Sequence, residues 1–341
     1  MNSVSRQNLY LGLFCIFSIL YLVFVFLVYK FGPDDLFLDA FKILDRDDYV
    51  RAQGLSLGLF DSYTLTSYIY HFLVFGNDLR AIDFMGFIDY GDINLTSFIV
   101  AGQVLLLLVS AFVMFLHLYP VIGRLAPVML FICFFCTAFY FTVPSKDIFL
   151  YFGIFISVFV SRIFRYFIYV YSIFRPFVLG TMLGYIILRN LSSSLFLKVL
   201  FPIVFFVLFF FEFPEVLGKP SAAYTAGTGI VNYFENTSYG IFLVNGVIDT
   251  VRLLFPVEFL FVDFGKTILV FFKLSFTFLI GFLLKYCQIK SLNILILSFV
   301  FFQGCFEPDL GSSLRHMAVL IPLFAYMVLN SYEKRDCGRL A

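Results

Sequence analysis

Apolar residues fall in long uninterrupted runs separated by short polar linkers. The first run is Leu9 to Val28. Arg6 is the only charge before it, and Tyr29, Lys30, Phe31, Gly32 and Pro33 follow. That flank offers no small-residue cleavage site, so the run predicts an uncleaved anchor helix. Further runs predict spans over 97–118, 126–143, 148–161, 173–188, 199–212, 267–284, 292–306 and 317–330. Several are shorter than the roughly 20 residues that cross a bilayer core as a straight helix. Stretches 55–75 and 240–262 are also apolar but carry Asp61, His71, Asp249, Arg252 and Glu258. Charges in such runs predict helices that lie in the interface or pack inside a bundle. The expectation is one all-α polytopic membrane domain over 1–341, with nine to eleven transmembrane helices. Segment 162–198 decides the parity, because it could hold two short spans.

Composition removes the alternatives to a membrane protein. Hydrophobic residues make up 62% of the chain and charged residues 13%, where a soluble domain has about half and about a quarter. A globular core cannot hide that much apolar surface, and disorder requires low hydrophobicity. A net charge of +1 excludes a general nucleic-acid binder. The chain has 52 Phe, 21 Tyr and no Trp. These aromatics read as lipid-facing filler rather than a cofactor pocket, with Tyr supplying the interfacial anchors that Trp usually shares. Cys133 and Cys136 form a C-x-x-C inside a predicted span, where small apolar filler is the expected role and redox or zinc chemistry is not. No 20–50-residue repeat, Walker A, dinucleotide fingerprint or H-E-x-x-H occurs. No cofactor and no metal site is expected.

Charge then sorts the linkers by side. Segment 30–95 holds eleven Asp and five basic residues, and segment 212–265 holds six acids and two bases. Arg6, Arg124, Arg162, Arg165, Lys285 and Lys290 sit in short linkers without acids. The positive-inside rule places those linkers and both termini in the cytoplasm. The acidic loop 30–95, the second loop 212–265 with its interfacial helix, and the short turns 144–147 and 307–316 then face outward.

Polar residues at span edges on that outward side are the candidate chemistry. Pro144-Ser145-Lys146-Asp147 joins two apolar runs, and Asp147 is placed to cap the helix that follows. The turn Glu307-Pro308-Asp309-Leu310-Gly311-Ser312-Ser313-Leu314-Arg315-His316 holds two acids, an Arg and a His. Arg315 and His316 would open the last span, where a cation opposes the helix dipole unless a carboxylate or a phosphate sits nearby. Arg175, before Pro176, and Arg252, in Arg252-Leu253-Leu254-Phe255-Pro256, stand in apolar surroundings. Each can grip phosphate through its planar fork or snorkel to the headgroups. Asp45-Arg46-Asp47-Asp48-Tyr49 in the first loop is either a solvated acidic surface or a source of a general base.

Taken in order, the P-S-K-D turn, the R-P in an apolar run, the R-L-L-F-P segment and the E-P-D-x-G-S-x-x-R-H turn resemble the Wzy-type O-antigen and capsular polysaccharide polymerases. The EpsG-like branch is the nearest pattern, and the first-loop Asp48-Tyr49 matches it too. The resemblance runs from about residue 34 to residue 325. It implies a GT-C-like helical fold in the bacterial inner membrane. It implies an active site facing the periplasm that joins undecaprenyl-diphosphate-linked oligosaccharide repeats without nucleotide sugar or metal. Its partners would be that lipid-linked substrate, membrane lipids, a flippase and a chain-length regulator. A diphosphate leaving group needs cations near its developing charge, and Lys146, Arg175, Arg252 and Arg315 are the candidates. The acceptor hydroxyl needs a base, and Asp147, Glu307, Asp309, Asp48 and His316 are the candidates. The chain departs from the pattern in being short and in lacking a basic loop over 213–240. The rival readings are an O-antigen ligase or other lipid-linked glycosyltransferase, a flippase or transporter of the lipid-linked repeat, and a polysaccharide acyltransferase.

Overall fold

The computed structural model describes residues 3–37, 93–123, 125–140, 147–164, 166, 168, 176–190, 234, 238–261, 264–287, 289–306 and 310–339. All regular elements among them are helical. The helices are α1 (Ser3–Phe37), α2 (Ile93–Ile122), α3 (Leu125–Tyr140), α4 (Asp147–Phe159), α5 (Pro176–Asn190), α6 (Tyr239–Leu254), α7 (Phe264–Tyr286), α8 (Lys290–Phe306), α9 (Leu310–Val319) and α10 (Ile321–Arg339). Single 3₁₀ turns follow α4 at Arg162–Phe164 and α6 at Val257–Phe259. The apolar runs that predicted helices over 9–28, 97–118, 126–143, 148–161, 173–188, 267–284 and 292–306 each coincide with one of these elements. The predicted span 199–212, the stretch 55–75 and most of the loop 30–95 lie outside the described residues.

Among the described residues, three helices are long and apolar enough to cross a membrane: Asn8–Leu27 in α1, Ala101–Ile122 in α2 and Thr267–Lys285 in α7. A fourth is counted if α9 and α10 form one broken span, bent by 50°. Pro322 stands at the second position of α10 and accounts for the break, since it lacks an N–H and its ring opposes the carbonyl four residues earlier. Helices α3, α4, α5 and α8 are apolar but shorter. The chain is therefore an α-helical protein with membrane-spanning character.

The chain divides into two compact units. Unit one comprises residues 1–168 with 318–325, and α1, α2, α3 and α4 build it. Helix α1 packs on α3, and α2 packs on both α3 and α4. Its core is aromatic. Phe14 stacks on Phe115 at 4.8 Å, Tyr21 meets the edge of Phe134 at 6.3 Å, and Phe134 meets Tyr151 at 6.4 Å. Offset and edge-on contacts of this kind add to the gain from burial itself.

Two of the buried tyrosines, Tyr21 and Tyr151, follow one rule. Thr137 Oγ1 donates to the Phe134 carbonyl at 2.6 Å, and Tyr21 Oη lies 2.7 Å from Thr137 Oγ1. A hydroxyl has a single proton, so Tyr21 is the donor to Thr137. Ser110 Oγ likewise donates to Leu107 O at 2.8 Å while Tyr151 Oη lies 2.6 Å away, so Tyr151 donates to Ser110. The aromatics are thus not all lipid-facing. Phe26, Phe271 and Phe278 are exposed, but Phe14, Phe17, Phe134, Tyr21 and Tyr151 form the core. Tyr21 and Tyr151 are core donors and not interfacial anchors, because a buried phenol needs an acceptor and a neighbouring helix hydroxyl provides one.

Unit two comprises residues 169–317 with 326–341. Helix α8 is its axis, with α5 on one side and α6 on another. Small residues set both approaches. Gly180 and Gly184 of α5, a G-x-x-x-G pair, lie against the ring of Phe302, and a Cβ at either would collide with it. Gly246 of α6 lies against Cys305 of α8, and Gly304 of α8 lies against Thr250 of α6. Close backbone approach through small residues is how helices gain packing where no water drives them together. Stretch 240–262 therefore packs against α8. That choice follows from the one face of α6 that carries Gly246 and Thr250.

Replacing Gly184 by Ala should lower the unfolding midpoint of the detergent-solubilised protein, at a cost of about 1–3 kcal/mol typical of overpacking. In a Phe302→Ala background the same substitution should be neutral or stabilising, since Ala favours helix over Gly by about 1 kcal/mol. Equal costs in both backgrounds would show that the ring does not set the α5–α8 approach.

Candidate functional site

Helix α6 carries a polar stripe in which Asn245 and Asp249 are buried and Arg252 is half-buried. Asn245, Asp249 and Arg252 are spaced four and three apart, so they share one face. Ser238 starts the helix by accepting from the Ile241 N–H at 3.3 Å, and Pro256 follows its C-cap, Phe255. Asn245 fastens the preceding chain. Its Nδ2 donates to Phe234 O at 2.8 Å, and its Oδ1 accepts from the Phe234 N–H at 3.3 Å.

At the other end of the stripe, Arg252 reaches two carboxylates. Its Nη2 donates to Glu258 Oε2 at 2.8 Å and its Nε to the same oxygen at 3.3 Å, while Nη1 lies 3.6 Å from Asp249 Oδ1. Arg252 also stands in the last turn of α6, aligned with the dipole. This cation, a sequence candidate for phosphate, is engaged by two acids of its own chain. Helix α6 is not among the helices apolar enough to span. Burial pushes the Asp249 carboxyl up to about 6, with Arg252 opposing the rise and Glu258 adding to it.

The second cluster lies on α7 and α9. Lys273 sits inside the Thr267–Lys285 span and is almost wholly buried, at 1% exposure. Its Nζ donates to Ser313 Oγ of α9. Ser313, Arg315 and His316 are all buried. His316 is three residues from Ser313 and shares its face, the one turned to α7, whereas Arg315 is two residues from Ser313 and lies on another.

Two sequence expectations need correction here. Residues 310–316 are not a turn: α9 begins at Leu310. Arg315 and His316 therefore do not open a helix against its dipole. Arg315 is mid-helix, and His316 is in the last turn, where a cation is favoured. The cause is the run Leu310 to Val319, which contains no Pro and can propagate a helix directly after Pro308-Asp309.

Asp147 is the first residue of α4 and is buried, with its carboxylate at the favourable end of that helix. It belongs to unit one, whereas Arg252, Lys273, Arg315 and His316 belong to unit two. Lys146, Arg175, Asp48, Tyr49, Glu307 and Asp309 lie outside the described residues. No group of three or more metal-ligating side chains occurs among the described residues.

Sequence reasoning passed over Lys273, Ser313 and the Gly180/Gly184 pair. A lysine in the middle of a long apolar run is itself a signal, because an intramembrane charge is expensive and needs a reason. The G-x-x-x-G was legible as a packing motif.

The raised Asp249 fixes a pH dependence. Below the ordinary aspartate value of 3.8 both folded and unfolded chains are protonated there, and the contribution to stability is complete. Between 3.8 and about 6 only the folded chain holds the proton, so stability falls as pH rises through that window and is level above it. Asp249→Asn should flatten the Tm–pH curve between pH 4 and pH 6. Arg252→Gln, which removes the cation that lowers this carboxyl, should extend the decline to higher pH. An Asn variant that keeps the wild-type slope would refute the assignment.

Comparison of the chain with protein-family models, curated proteins and solved structures returns no match.

Proposed function

We propose that this chain is a multi-pass, GT-C-like glycosyltransferase of the bacterial inner membrane. It polymerises undecaprenyl-diphosphate-linked oligosaccharide repeats into O-antigen or capsular polysaccharide on the periplasmic face. The observation that supports this best is α9, where an arginine and a histidine are both buried in a helical membrane protein. A buried guanidinium near a membrane suits a reaction whose leaving group is a lipid diphosphate, because fixed positive charge in a poorly solvated place stabilises charge as it develops, and the adjacent imidazole is a candidate base. The ordered motifs from Pro144-Ser145-Lys146-Asp147 to the late Glu307–His316 segment supply the rest of the case.

In this reading the new repeat's terminal hydroxyl attacks the anomeric carbon of the growing chain. The bond from that carbon to the carrier diphosphate breaks, and the hydroxyl proton passes to a base. Arg315 is assigned to the diphosphate. Glu307, Asp309, His316, Asp147 or Asp48 takes the proton, and Tyr49, Lys146 and Arg175 contribute to substrate binding. Arg252 would exchange its carboxylate partners for phosphate only at the cost of leaving Asp249 and Glu258 without their cation. That makes it the weaker diphosphate ligand of the two arginines.

Deletion of the gene should collapse the surface-polysaccharide ladder to core plus a single repeat, and wild type should restore it. Arg315→Ala should fail to restore it. Arg315→Lys should restore it only in part, because an ammonium lacks the bidentate fork. Loss of all repeats with lipid-linked single units accumulating in the membrane would instead identify a ligase or a flippase. An unchanged ladder would overturn the polysaccharide reading.

A further inference from the structure

Lys273 and Ser313 present an imbalance of donors. Among the described residues, the Lys273 ammonium has one polar partner, Ser313 Oγ. An ammonium has three N–H donors and no acceptor, so two remain. Ser313 receives the lysine's bond on its oxygen and keeps its own O–H to give. Three polar hydrogens are therefore left at the α7–α9 contact with no acceptor for them among the described residues. Both residues are buried, Lys273 at 1% and Ser313 at 0% exposure. The described parts of α7 and α9 contain no Asp or Glu. Buried donors in proteins are satisfied, and a buried cation with nothing to pair it is strongly unfavourable. A structural ammonium would come with a carboxylate, and none meets this one among the described residues. What the arrangement lacks there is an acceptor carrying negative charge.

We propose that Lys273 and Ser313 form an oxyanion site between α7 and α9, and that its ligand is the phosphate-type group of a membrane-borne molecule. Two donors come from the ammonium and one from the hydroxyl. The position of Lys273 within the Thr267–Lys285 span sets the depth, because a group carried by a lipid reaches it from within the membrane. A soluble anion must first shed its water. His316 lies on the Ser313 face of α9 and borders the site, and Arg315 on another face does not. The inference rests on the proposed function for its choice of ligand, a diphosphate ester of a long-chain lipid. The donor count itself stands without that reading.

The test uses the full chain in nanodiscs of phosphatidylcholine. Thermal unfolding is followed with farnesyl diphosphate, inorganic diphosphate or phosphatidylglycerol added. Farnesyl diphosphate should raise the Tm of the wild type. Lys273→Met should weaken its apparent affinity at least tenfold, and Ser313→Ala should weaken it severalfold. Lys273→Met without ligand should be at least as stable as wild type, because it removes an unpaired buried charge and keeps the stem. That result separates a ligand site from a structural lysine, whose loss would lower the Tm. Phosphatidylglycerol producing the same shift as farnesyl diphosphate would assign the site to a bulk headgroup phosphate. Inorganic diphosphate acting as strongly as the farnesyl ester would overturn delivery from the membrane. Wild-type affinity in Lys273→Met, or a lower Tm of that variant without ligand, would overturn the site. The polymerase reading fails separately, through an unchanged polysaccharide ladder on gene deletion.

Discussion

Everything polar that this chain buries must be satisfied by the chain or by something it binds, because lipid offers no hydrogen bonds. That constraint organises both units. In unit one it produces matched pairs: Tyr21 donates to Thr137 and Tyr151 to Ser110, and the Thr and Ser hydroxyls pass their own protons to a carbonyl of their own helix. The phenols can then sit inside an aromatic core, and α1 is tied to α3 and α2 to α4. In unit two the same constraint holds Asn245 on the Phe234 backbone and Arg252 between two carboxylates.

Packing alone could not have placed these groups. Apolar side chains have no preferred partner in lipid, so approach distance is set by shape. Gly180 and Gly184 admit the Phe302 ring, and Gly246 and Gly304 admit Cys305 and Thr250 in turn. Helix α8 is the common partner, which makes it the reference for α5 and α6. Close approach also brings the α6 backbone near enough for Thr250 Oγ1 to donate to Phe301 O at 3.3 Å.

The charges of unit two divide by how they are compensated. Arg252 is neutralised inside the chain, and its neighbours supply a reason for its position that needs no ligand. Among the described residues Lys273 is met by a hydroxyl where a carboxylate would be expected, which is the reason its compensation is assigned to a ligand. Intramembrane lysines are rare for that reason and belong with function by default. Asp249 shows the intermediate case: burial favours its protonated form, and the single cation beside it only partly restores the charge.

The chain's hydrophobic runs determined its class and most of its helix positions. Apolar length and the absence of internal charge dictate helix in lipid, whatever the partner. Position along the chain also marked Asp147, Arg252, Arg315 and His316 as polar residues in apolar surroundings. Faces and partners were another matter. Whether Tyr21 anchors at an interface or sits in a core depends on Thr137, which is 116 positions away. Whether Arg252 meets phosphate or carboxylate depends on where the 3₁₀ turn after α6 carries Glu258. Residues 310–316 read as a turn because they are a polar segment between two apolar runs, and the helix that formed there turned Ser313 to Lys273 and Arg315 to another face. Sequence determines which groups must be satisfied. Only the tertiary structure decides which group satisfies which, because hydrogen bonds and ion pairs act over a few ångströms between segments the sequence leaves far apart.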